Sequence, residues 1–348
     1  MKTKLFGSWS ILLILVLSIF SCKKTNDSNT SASSGGSGST GTTGTGTNGA
    51  GVSTIAGNGA GSVLVSPTDI CLDNQGNMYI SEINNNDVKK IDAKGTMSIF
   101  TGVPGNPGCE DTGTTLTFPE GICFNHDSLY VADYICGHVK IVSASGNAKT
   151  YTFNNPSNYY IGAIGVCFDN AGNFFIANQT GDEGVVEITA SGQVIKFGDG
   201  TVGFKDGNAA TAEFGTISSI CADNSGNVYI ADSHRIRKIS SGSVTTVAGN
   251  SQLGFADGQG AAATFAGAMG LCSDSKGNIY IADVYNSSIR MMTSTGKVTT
   301  LVGNGNAGYV EGTGSAVEFN TPTGICVDAN GNLLVADYGN NVIRKIIL

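Results

Sequence analysis

The sequence is poor in charged residues, proline, histidine and tryptophan. Charged residues make up 13% of its 348 residues, about half the usual share in a soluble protein. The 19 basic and 27 acidic residues give a net charge of −8, which argues against nucleic-acid binding because that function needs a basic surface. Only 6 residues are proline, whereas 50 are glycine. Rich glycine without rich proline excludes a polyproline linker protein and favours a chain with many tight turns.

The first 22 residues resemble the signal peptide of a bacterial lipoprotein. A short basic start precedes an apolar stretch over residues 5–20, which is shorter than the roughly 20 residues that span a bilayer. The stretch ends in Ser18-Ile-Phe-Ser-Cys22, which is similar to a lipobox. This resemblance implies an exported protein that is lipidated at Cys22 and anchored to the bacterial cell envelope at the outer membrane. Ordinary cleavage to a soluble protein and an uncleaved anchor are the alternatives.

The next segment, residues 23–50, is composed almost entirely of Ser, Thr, Gly and Asn, without a large apolar side chain. Such a segment cannot offset its ordering entropy by burial, so it is predicted to be a flexible tether. Its root-mean-square length would be roughly 30 Å. The chain therefore divides into a signal peptide (1–22), a tether (23–50) and a folded domain (51–348).

The folded domain contains one unit repeated six times. Each unit has an apolar run around a cysteine, a polar turn, and a second apolar run that ends in Asp or a related residue. The repeat cysteines lie about fifty residues apart and are Cys71, Cys123, Cys167, Cys221, Cys272 and Cys326. A repeat of this length predicts a solenoid or a propeller.

The pattern inside one unit distinguishes between these folds. In the fourth unit, apolar residues flank Cys221, and Gly226 supplies the positive φ of a tight turn. Residues 228–232 read Val-Tyr-Ile-Ala-Asp, and two further strand-like segments follow at 236–239 and 244–249. Four short strands per unit and no helix predict an all-β protein, a six-bladed β-propeller of four-stranded blades.

The two ends of the repeat region complement each other. The sixth unit stops after its third strand, at residues 342–348. Residues 51–58 read Gly-Val-Ser-Thr-Ile-Ala-Gly-Asn and mirror the fourth-strand segment 297–304 of the fifth unit. The N-terminal strand is therefore predicted to complete the last blade, which removes an open sheet edge.

These repeats resemble the NHL repeat family of six-bladed propellers. The resemblance covers residues 51–348 and rests on the Gly-Ile-Cys-x-Asp, Gly-Asn-x-Tyr-Ile-Ala-Asp and Ile-Arg-Lys segments. The third blade departs most, because Asn178 replaces Asp and Val186 stands where other blades have Lys or Arg. Resembling propellers include lyases and lactonase-type hydrolases that use a metal at the channel mouth.

The cysteines fall into two groups. Nine cysteines in an exported chain suggest disulfides, but the six repeat cysteines share one position and are expected to be buried thiols. Setting Cys22 aside leaves Cys109 and Cys136. Both are expected in loops of the second blade that emerge on the same face, so a disulfide between them is predicted in an oxidising compartment.

A ring of mostly acidic side chains ends the second strands. Its members are Glu82, Asp133, Asn178, Asp232, Asp283 and Asp337. The favoured interpretation is that each caps a turn or pairs with the basic residue of the next strand, such as Arg237, Arg290 or Arg344. The alternative is a site for calcium or another divalent cation at the channel mouth, held by Asp133, Asp232, Asp283 or Asp337. No other cofactor is predicted.

The favoured function is that of a non-catalytic binding module. Loops on a rigid scaffold commonly carry recognition, and a protein, peptide or glycan would be the ligand. The candidate contacts are Tyr134, Tyr159, Tyr160, His234, Arg235, Tyr285 and Tyr338, with Phe204, Phe255 and Tyr309 from loops between blades. We expect a monomer that contacts the membrane only through its lipid anchor and that binds no nucleic acid.

The alternative function is that of a metal-dependent lyase or lactonase-like hydrolase at the channel mouth. His234 would then act as the acid or base beside the metal. Only two of the three histidines can share a face, whereas a zinc site in a lyase would want three. The sequence also lacks a Gly-x-Ser-x-Gly elbow and a phosphate-binding glycine loop before a helix.

Overall fold

The computed structural model describes residues 50–57, 63–153, 162–179 and 183–348. These residues form six antiparallel β-sheets of four or five strands, and Ala50–Leu348 is one compact unit. The first strand of each sheet contacts the first strands of both neighbouring sheets, so the six sheets close into a ring. The predicted six-bladed propeller is confirmed. The predicted signal peptide, its Cys22 and nearly all of the predicted tether lie outside the described residues.

The first three blades follow the predicted order of four strands, with the first strand innermost. Their strands are Pro67–Leu72, Met78–Glu82, Asp87–Ile91 and Met97–Gly102 in blade 1; Pro119–Asn125, Ser128–Asp133, His138–Val142 and Ala148–Thr150 in blade 2; and Ala163–Phe168, Phe174–Asn178, Gly184–Ile188 and Val194–Phe197 in blade 3. The second strands are almost wholly buried because both faces of a blade pack against neighbouring blades.

The last three blades repeat this order. Their strands are Ile217–Ala222, Val228–Asp232, Arg235–Ser240 and Ser243–Gly249 in blade 4; Ala268–Ser273, Ile279–Asp283, Ser288–Met292 and Lys297–Val302 in blade 5; and Pro322–Val327, Leu333–Asp337, Val342–Ile347 and the N-terminal Gly51–Ala56 in blade 6. Each second strand here ends in an aspartate that is fully buried.

Short elements that the sequence analysis did not predict lie between the blades. Two-residue strands extend the outer edge of four blades, at Thr112–Gly113, Gly207–Asn208, Gly258–Gln259 and Gly312–Thr313. Single 3₁₀ turns are found at Gly260–Ala262, Val284–Asn286, Gly314–Ala316 and Tyr338–Asn340. The loop between two blades therefore packs against the blade that follows it rather than projecting freely.

The Asp-x-x-Gly-Asn segments are tight turns held by their own aspartate. Asp223 Oδ1 accepts hydrogen bonds from the backbone N–H groups of Ser225 and Asn227, both at 2.9 Å. Asp223 Oδ2 accepts from Asn227 Nδ2 at 2.8 Å. Equivalent bonds are made by Asp73, Asp169, Asp274 and Asp328. Both carboxylate oxygens are used within the turn, as expected for an Asx turn rather than a calcium loop.

Glycine before the Ile-Cys pair allows the innermost strands to approach closely. A Cβ on Gly121 would lie 2.7 Å from Gly165 Cα in the next blade. Side chains are therefore excluded from this position in most blades. The six repeat cysteines beside it are free thiols, as predicted, but only Cys167, Cys221 and Cys272 are fully buried, whereas Cys71, Cys123 and Cys326 are partly exposed.

The N-terminal strand Gly51–Ala56 completes blade 6, as the sequence predicted. It pairs in antiparallel register with the third strand, with Val52 opposite Ile346 and Thr54 opposite Arg344. Val52 is buried in the core between the last two blades. The closing contact is therefore both a hydrogen-bonded ladder and an apolar contact.

Deleting residues 51–56 should strongly lower the thermal midpoint of the full chain, because it exposes the edge of the last blade and removes the burial of Val52. Deleting residues 23–48, from the predicted tether, serves as the control and should leave the midpoint unchanged. Differential scanning calorimetry of both variants measures this. Equal midpoints would contradict the closing role of the strand.

Candidate functional site

Alternating strand directions place two sets of loops on one side of the ring. These are the loops between blades and the loops that join second to third strands, for example residues 250–267 and 284–287 in blade 5. We call this surface the loop face. The Asp-x-x-Gly-Asn turns lie on the opposite side, which we call the turn face.

A fully buried arginine-aspartate pair lies beneath the loop face in each of blades 4 to 6. The nitrogen-oxygen distances are 2.7 Å for Arg237–Asp232, 2.8 Å for Arg290–Asp283 and 3.0 Å for Arg344–Asp337. These aspartates end the second strand, and the arginines lie in the adjacent third strand, where the register places them within reach. This arrangement confirms the pairing that the sequence analysis favoured.

Each arginine also fixes the loop that precedes its blade. Arg290 donates from Nη2 to Ala256 O and Asp257 Oδ1, both at 2.9 Å, and from Nη1 to Thr264 O at 3.1 Å. Arg237 and Arg344 make corresponding bonds to loop carbonyls. Because the planar guanidinium donates in fixed directions, one side chain can hold two separated loop segments.

Aromatic rings cover these guanidinium groups. The Arg290 guanidinium lies 5.0 Å from the centre of the Phe255 ring and 5.3 Å from that of Phe265. Phe265 is fully buried, whereas Phe255 is exposed. Arg344 has the same relation to the exposed Tyr309 and the buried Phe319. The exposed rings are thus positioned by cation–π contacts with a fixed charge beneath them.

The loops of blades 4 to 6 carry exposed apolar side chains, which we together call the apolar patch. Val202 and Leu253 are each 67% exposed, and Tyr285 is 44% exposed. Asn286 Nδ2 donates to Gly254 O at 2.8 Å, which ties the loop of Tyr285 to the loop of Leu253. The patch comprises Val202, Phe204, Leu253, Phe255, Tyr285, Tyr309 and Val310.

Burial and the paired arginine act in opposite directions on the buried aspartates. Burial raises the pKa of Asp232 to about 6, although Arg237 opposes the change. Burial likewise raises the pKa of Asp337 to about 6, against hydrogen bonds from Asn340 and Asn320 and the charge of Arg344. The arginines thus favour the charged form of carboxylates that burial disfavours.

Blade 2 departs from this arrangement. Lysine replaces arginine there, and Lys140 donates to Glu110 O and Thr150 Oγ1. Asp133 Oδ2 is buried without a hydrogen-bond partner, and burial raises the pKa of Asp133 to about 7. In this blade a disulfide joins Cys109, in the loop before the blade, to Cys136, in the loop between the second and third strands.

Most of the aspartates in the alternative cation site are already engaged in ion pairs. Asp232, Asp283 and Asp337 are each bonded to their own arginine, so their charge is already neutralised. Asp133 lies in a separate blade beside Lys140. Within the described ranges, no cluster of three or more His, Cys, Asp or Glu side chains could hold a metal ion.

The predicted binding residues divide by exposure. Tyr285 is on the open surface, but Tyr134 and Tyr338 are only 7% and 9% exposed. Tyr338 Oη accepts a hydrogen bond from Asn84 Nδ2 at 3.1 Å, so this tyrosine packs within the fold. Of these three predicted contacts, the structure therefore leaves only Tyr285 open to a ligand, whereas Tyr134 and Tyr338 are buried.

The remaining candidates have mixed outcomes. The guanidinium of Arg235 lies 4.0 Å from the centre of the Phe204 ring, at the edge of the patch. His234 is half-buried, and burial together with the charge of Arg235 lowers its pKa. Tyr159 and Tyr160 lie outside the described residues. Sequence reasoning missed Val202 and Leu253, although both stand two residues before an aromatic in equivalent loops.

The fold and the loop face define the chain as a six-bladed β-propeller. The family model of the NHL repeat matches residues 319–346, within the last blade. The chain is 25% identical over 325 residues to Protein SUPPRESSOR OF QUENCHING 1, chloroplastic, of Arabidopsis thaliana, covering 83% of this chain and 31% of that protein. It is 39% identical over 100 residues to NHL repeat-containing protein 2 of Bos taurus, covering 28% of this chain and 14% of that protein. The chain thus spans less than a third of these relatives.

Solved structures share the fold at low sequence identity. An auxiliary nutrient binding protein from Bacteroides thetaiotaomicron superposes with a TM-score of 0.63 at 17% identity, covering 81% of this chain and 69% of that one. A streptogramin B lyase superposes with a TM-score of 0.56 at 13% identity, covering 86% of this chain and 97% of that one. A gluconolactonase from Xanthomonas campestris superposes with a TM-score of 0.60 at 10% identity, covering 86% of this chain and 90% of that one. At these identities the likeness extends to the fold alone.

Replacing Arg290 with methionine should destabilise the protein by about 3–5 kcal/mol, because it leaves Asp283 buried without its partner. Urea unfolding measures the free energy. Lys297→Met, at an exposed site in the same blade, is the control and should stay within about 0.5 kcal/mol of wild type. A cost at Arg290 no larger than that at Lys297 would contradict the holding role of the arginine.

Proposed function

We propose that this protein is a ligand-binding module whose loop face captures an apolar peptide or protein segment outside the cytoplasm. The observation that carries the proposal is the exposed patch on blades 4 to 6, where aliphatic and aromatic side chains project from loops fixed by buried arginines. Large exposed apolar side chains grouped on a rigid surface are typical of interaction sites.

The chemistry of the patch favours a peptide over a charged polymer. Val202 and Leu253 offer aliphatic contacts beside the aromatic rings of Phe255 and Tyr285. The net charge of −8 disfavours nucleic acids and other polyanions. The fold likeness to a nutrient binding protein supports a binding role at the level of fold.

The alternative is a metal-dependent lyase or lactonase-like hydrolase. Its support is the fold likeness to a streptogramin B lyase and a gluconolactonase. Fold likeness does not determine chemistry. The aspartates that would hold the metal are bonded to arginines in blades 4 to 6, so the binding function is the better supported.

The combined variant Leu253→Ser and Tyr285→Ala should weaken ligand capture by more than tenfold without loss of folding, because both side chains are exposed and share one patch. Affinity is measured by titration calorimetry with the best binder from a peptide array, and a polysaccharide array is screened in parallel. Asn224→Ala and Lys276→Ala, on the turn face, are the controls and should bind normally.

Several outcomes would contradict this proposal. Capture that survives the patch variant but fails in the turn-face variants would place the site on the wrong face. Binding only to polysaccharides would replace the peptide by a glycan as the ligand. Loss of turnover on a lactone substrate in Asp232→Asn or His234→Ala, with unchanged peptide capture, would favour the enzyme.

We also propose that the chain consists of a lipoprotein signal peptide (1–22), a flexible tether (23–50) and the propeller, and that it is anchored to the bacterial cell envelope. The support is the apolar stretch over residues 5–20, the Ser-Cys22 end of that stretch and the Ser/Thr/Gly-rich segment that follows. In the part of the chain that the structure describes, no helix has the length and apolar character to cross a bilayer.

Replacing Cys22 with alanine should release the protein from the membrane fraction or leave it unprocessed, because the lipid is its only proposed attachment. Labelling of growing cells with a radioactive fatty acid should mark wild type and leave the variant unmarked. Cys326→Ala, at a repeat cysteine in the propeller, is the control and should stay marked. A wild-type protein without label would contradict lipidation.

A further inference from the structure

The first cysteine of the blade 2 disulfide takes the place of an aromatic residue. Cys109 comes directly before Glu110, whose carbonyl oxygen accepts a hydrogen bond from Lys140. The equivalent loop carbonyls of blades 4 to 6 accept from the third-strand arginines. In those three blades, the residue directly before that carbonyl group is an exposed aromatic, which is Phe204, Phe255 or Tyr309.

The second cysteine takes the place of an asparagine. Cys136 lies three residues after the aspartate that ends the second strand, and the same position is Asn286 in blade 5 and Asn340 in blade 6. Nδ2 of each asparagine donates at 2.8 Å to its own aspartate and to a glycine carbonyl in the loop before the blade, Gly254 or Gly308. The asparagine therefore joins two loops by hydrogen bonds. In blade 2 a covalent bond joins the same two loops.

These replacements leave the aspartate of blade 2 short of donors. In blade 5, Asp283 Oδ2 accepts from Asn286 Nδ2 and from Arg290 Nη1, both at 2.8 Å. The corresponding atom, Asp133 Oδ2, is buried without a hydrogen-bond partner in the described part of the chain. A cysteine and a lysine stand where its two donors would be, and that lysine donates to loop groups instead. In blade 2 the disulfide therefore does the work of the asparagine.

The disulfide is accessible to a reductant. Cys109 is exposed, and Cys136 is partly exposed. Access by a thiolate is one of the conditions for thiol–disulfide exchange. Ile135, the neighbour of Cys136, is 49% exposed in a loop of the loop face. The bond therefore positions an apolar side chain of that face.

We propose that the Cys109–Cys136 bond is a redox switch that fixes or releases the blade 2 part of the loop face. The reductant is a dithiol, which supplies two electrons and two protons. One of its thiolates attacks Cys109 Sγ, the disulfide breaks, and Cys136 leaves as a thiolate that takes up a proton. The second thiol of the reductant then displaces Cys109 as a thiol and closes the reductant's own disulfide. Without the asparagine and arginine of blade 5, the reduced loops lose the bond that joins their tips.

Other contacts hold the end of the loop before blade 2. The backbone N–H of Thr117 donates to Asp133 Oδ1 at 2.7 Å, and Leu116 is fully buried. Reduction should therefore loosen the two loop tips, residues 104–110 and 135–137, while the sheets keep their pairing.

Hydrogen–deuterium exchange of the purified full chain, followed by mass spectrometry with and without dithiothreitol, measures this release. In wild type, dithiothreitol should raise amide exchange at residues 104–110 and 135–137 by about tenfold or more, because local opening is no longer opposed by the bond. Exchange in the strands of blades 4 to 6 should stay unchanged. Cys326→Ala, at a free repeat thiol, is the control and should respond like wild type.

Two further variants separate the bond from the loops that it joins. The double variant Cys109→Ala and Cys136→Ala should exchange fast at both tips even without dithiothreitol. The triple variant Cys109→Phe, Cys136→Asn and Lys140→Arg gives blade 2 the residues of blade 5. Its tips should exchange slowly with or without dithiothreitol, because asparagine and arginine again join the loops. The double variant keeps the test decisive if the triple variant does not fold.

Two results would overturn the proposal. Slow exchange at both tips in the reduced wild type and in the double variant would mean that other contacts hold the loops. A rise in exchange throughout all six blades would mean that the bond holds the whole propeller together rather than one part of its loop face.

Discussion

The loop face depends on the buried arginine-aspartate pair. In blades 4 to 6 the aspartate ends the second strand, the arginine comes from the third strand, and the same guanidinium fixes the loop before the blade. Desolvation makes such a pair costly, and its hydrogen bonds to loop carbonyls offset that cost. One interaction thus joins the sheet to the loop that carries Leu253 and Phe255, so the exposed patch is rigid before a ligand arrives.

Blades 1 and 2 have a lysine where blades 4 to 6 have the arginine. Lys89 pairs with Asp87 at 2.6 Å in blade 1, and Lys140 bonds to loop groups in blade 2 without satisfying Asp133 Oδ2. A lysine has no planar fork, so it holds fewer loop atoms than an arginine. The Cys109–Cys136 disulfide ties the same two loops in blade 2.

Around the central channel, side-chain size is limited by the close approach of the six innermost strands. Glycine at positions such as Gly121 permits that approach because a Cβ would clash with the next blade. Asp69 breaks this pattern, and its carboxylate bonds to the next strand rather than to a cation of the protein.

The sequence by itself determined the fold, because six equivalent cysteines, glycine turns and strand patterns are local signals that repeat, and the missing fourth strand identified the closing segment Gly51–Ala56. It also indicated the pairing of Asp232 with Arg237, since an aspartate at the end of the second strand and an arginine in the third strand recur in blades 4 to 6. Only the tertiary structure showed which of the loop tyrosines is exposed. Tyr338 directly follows Asp337 and is buried, as is Val284 directly after Asp283, whereas Tyr285 stands one residue further on and is open. Exposure and pairing depend on side chains from neighbouring blades, about fifty or more residues away, which no local pattern records.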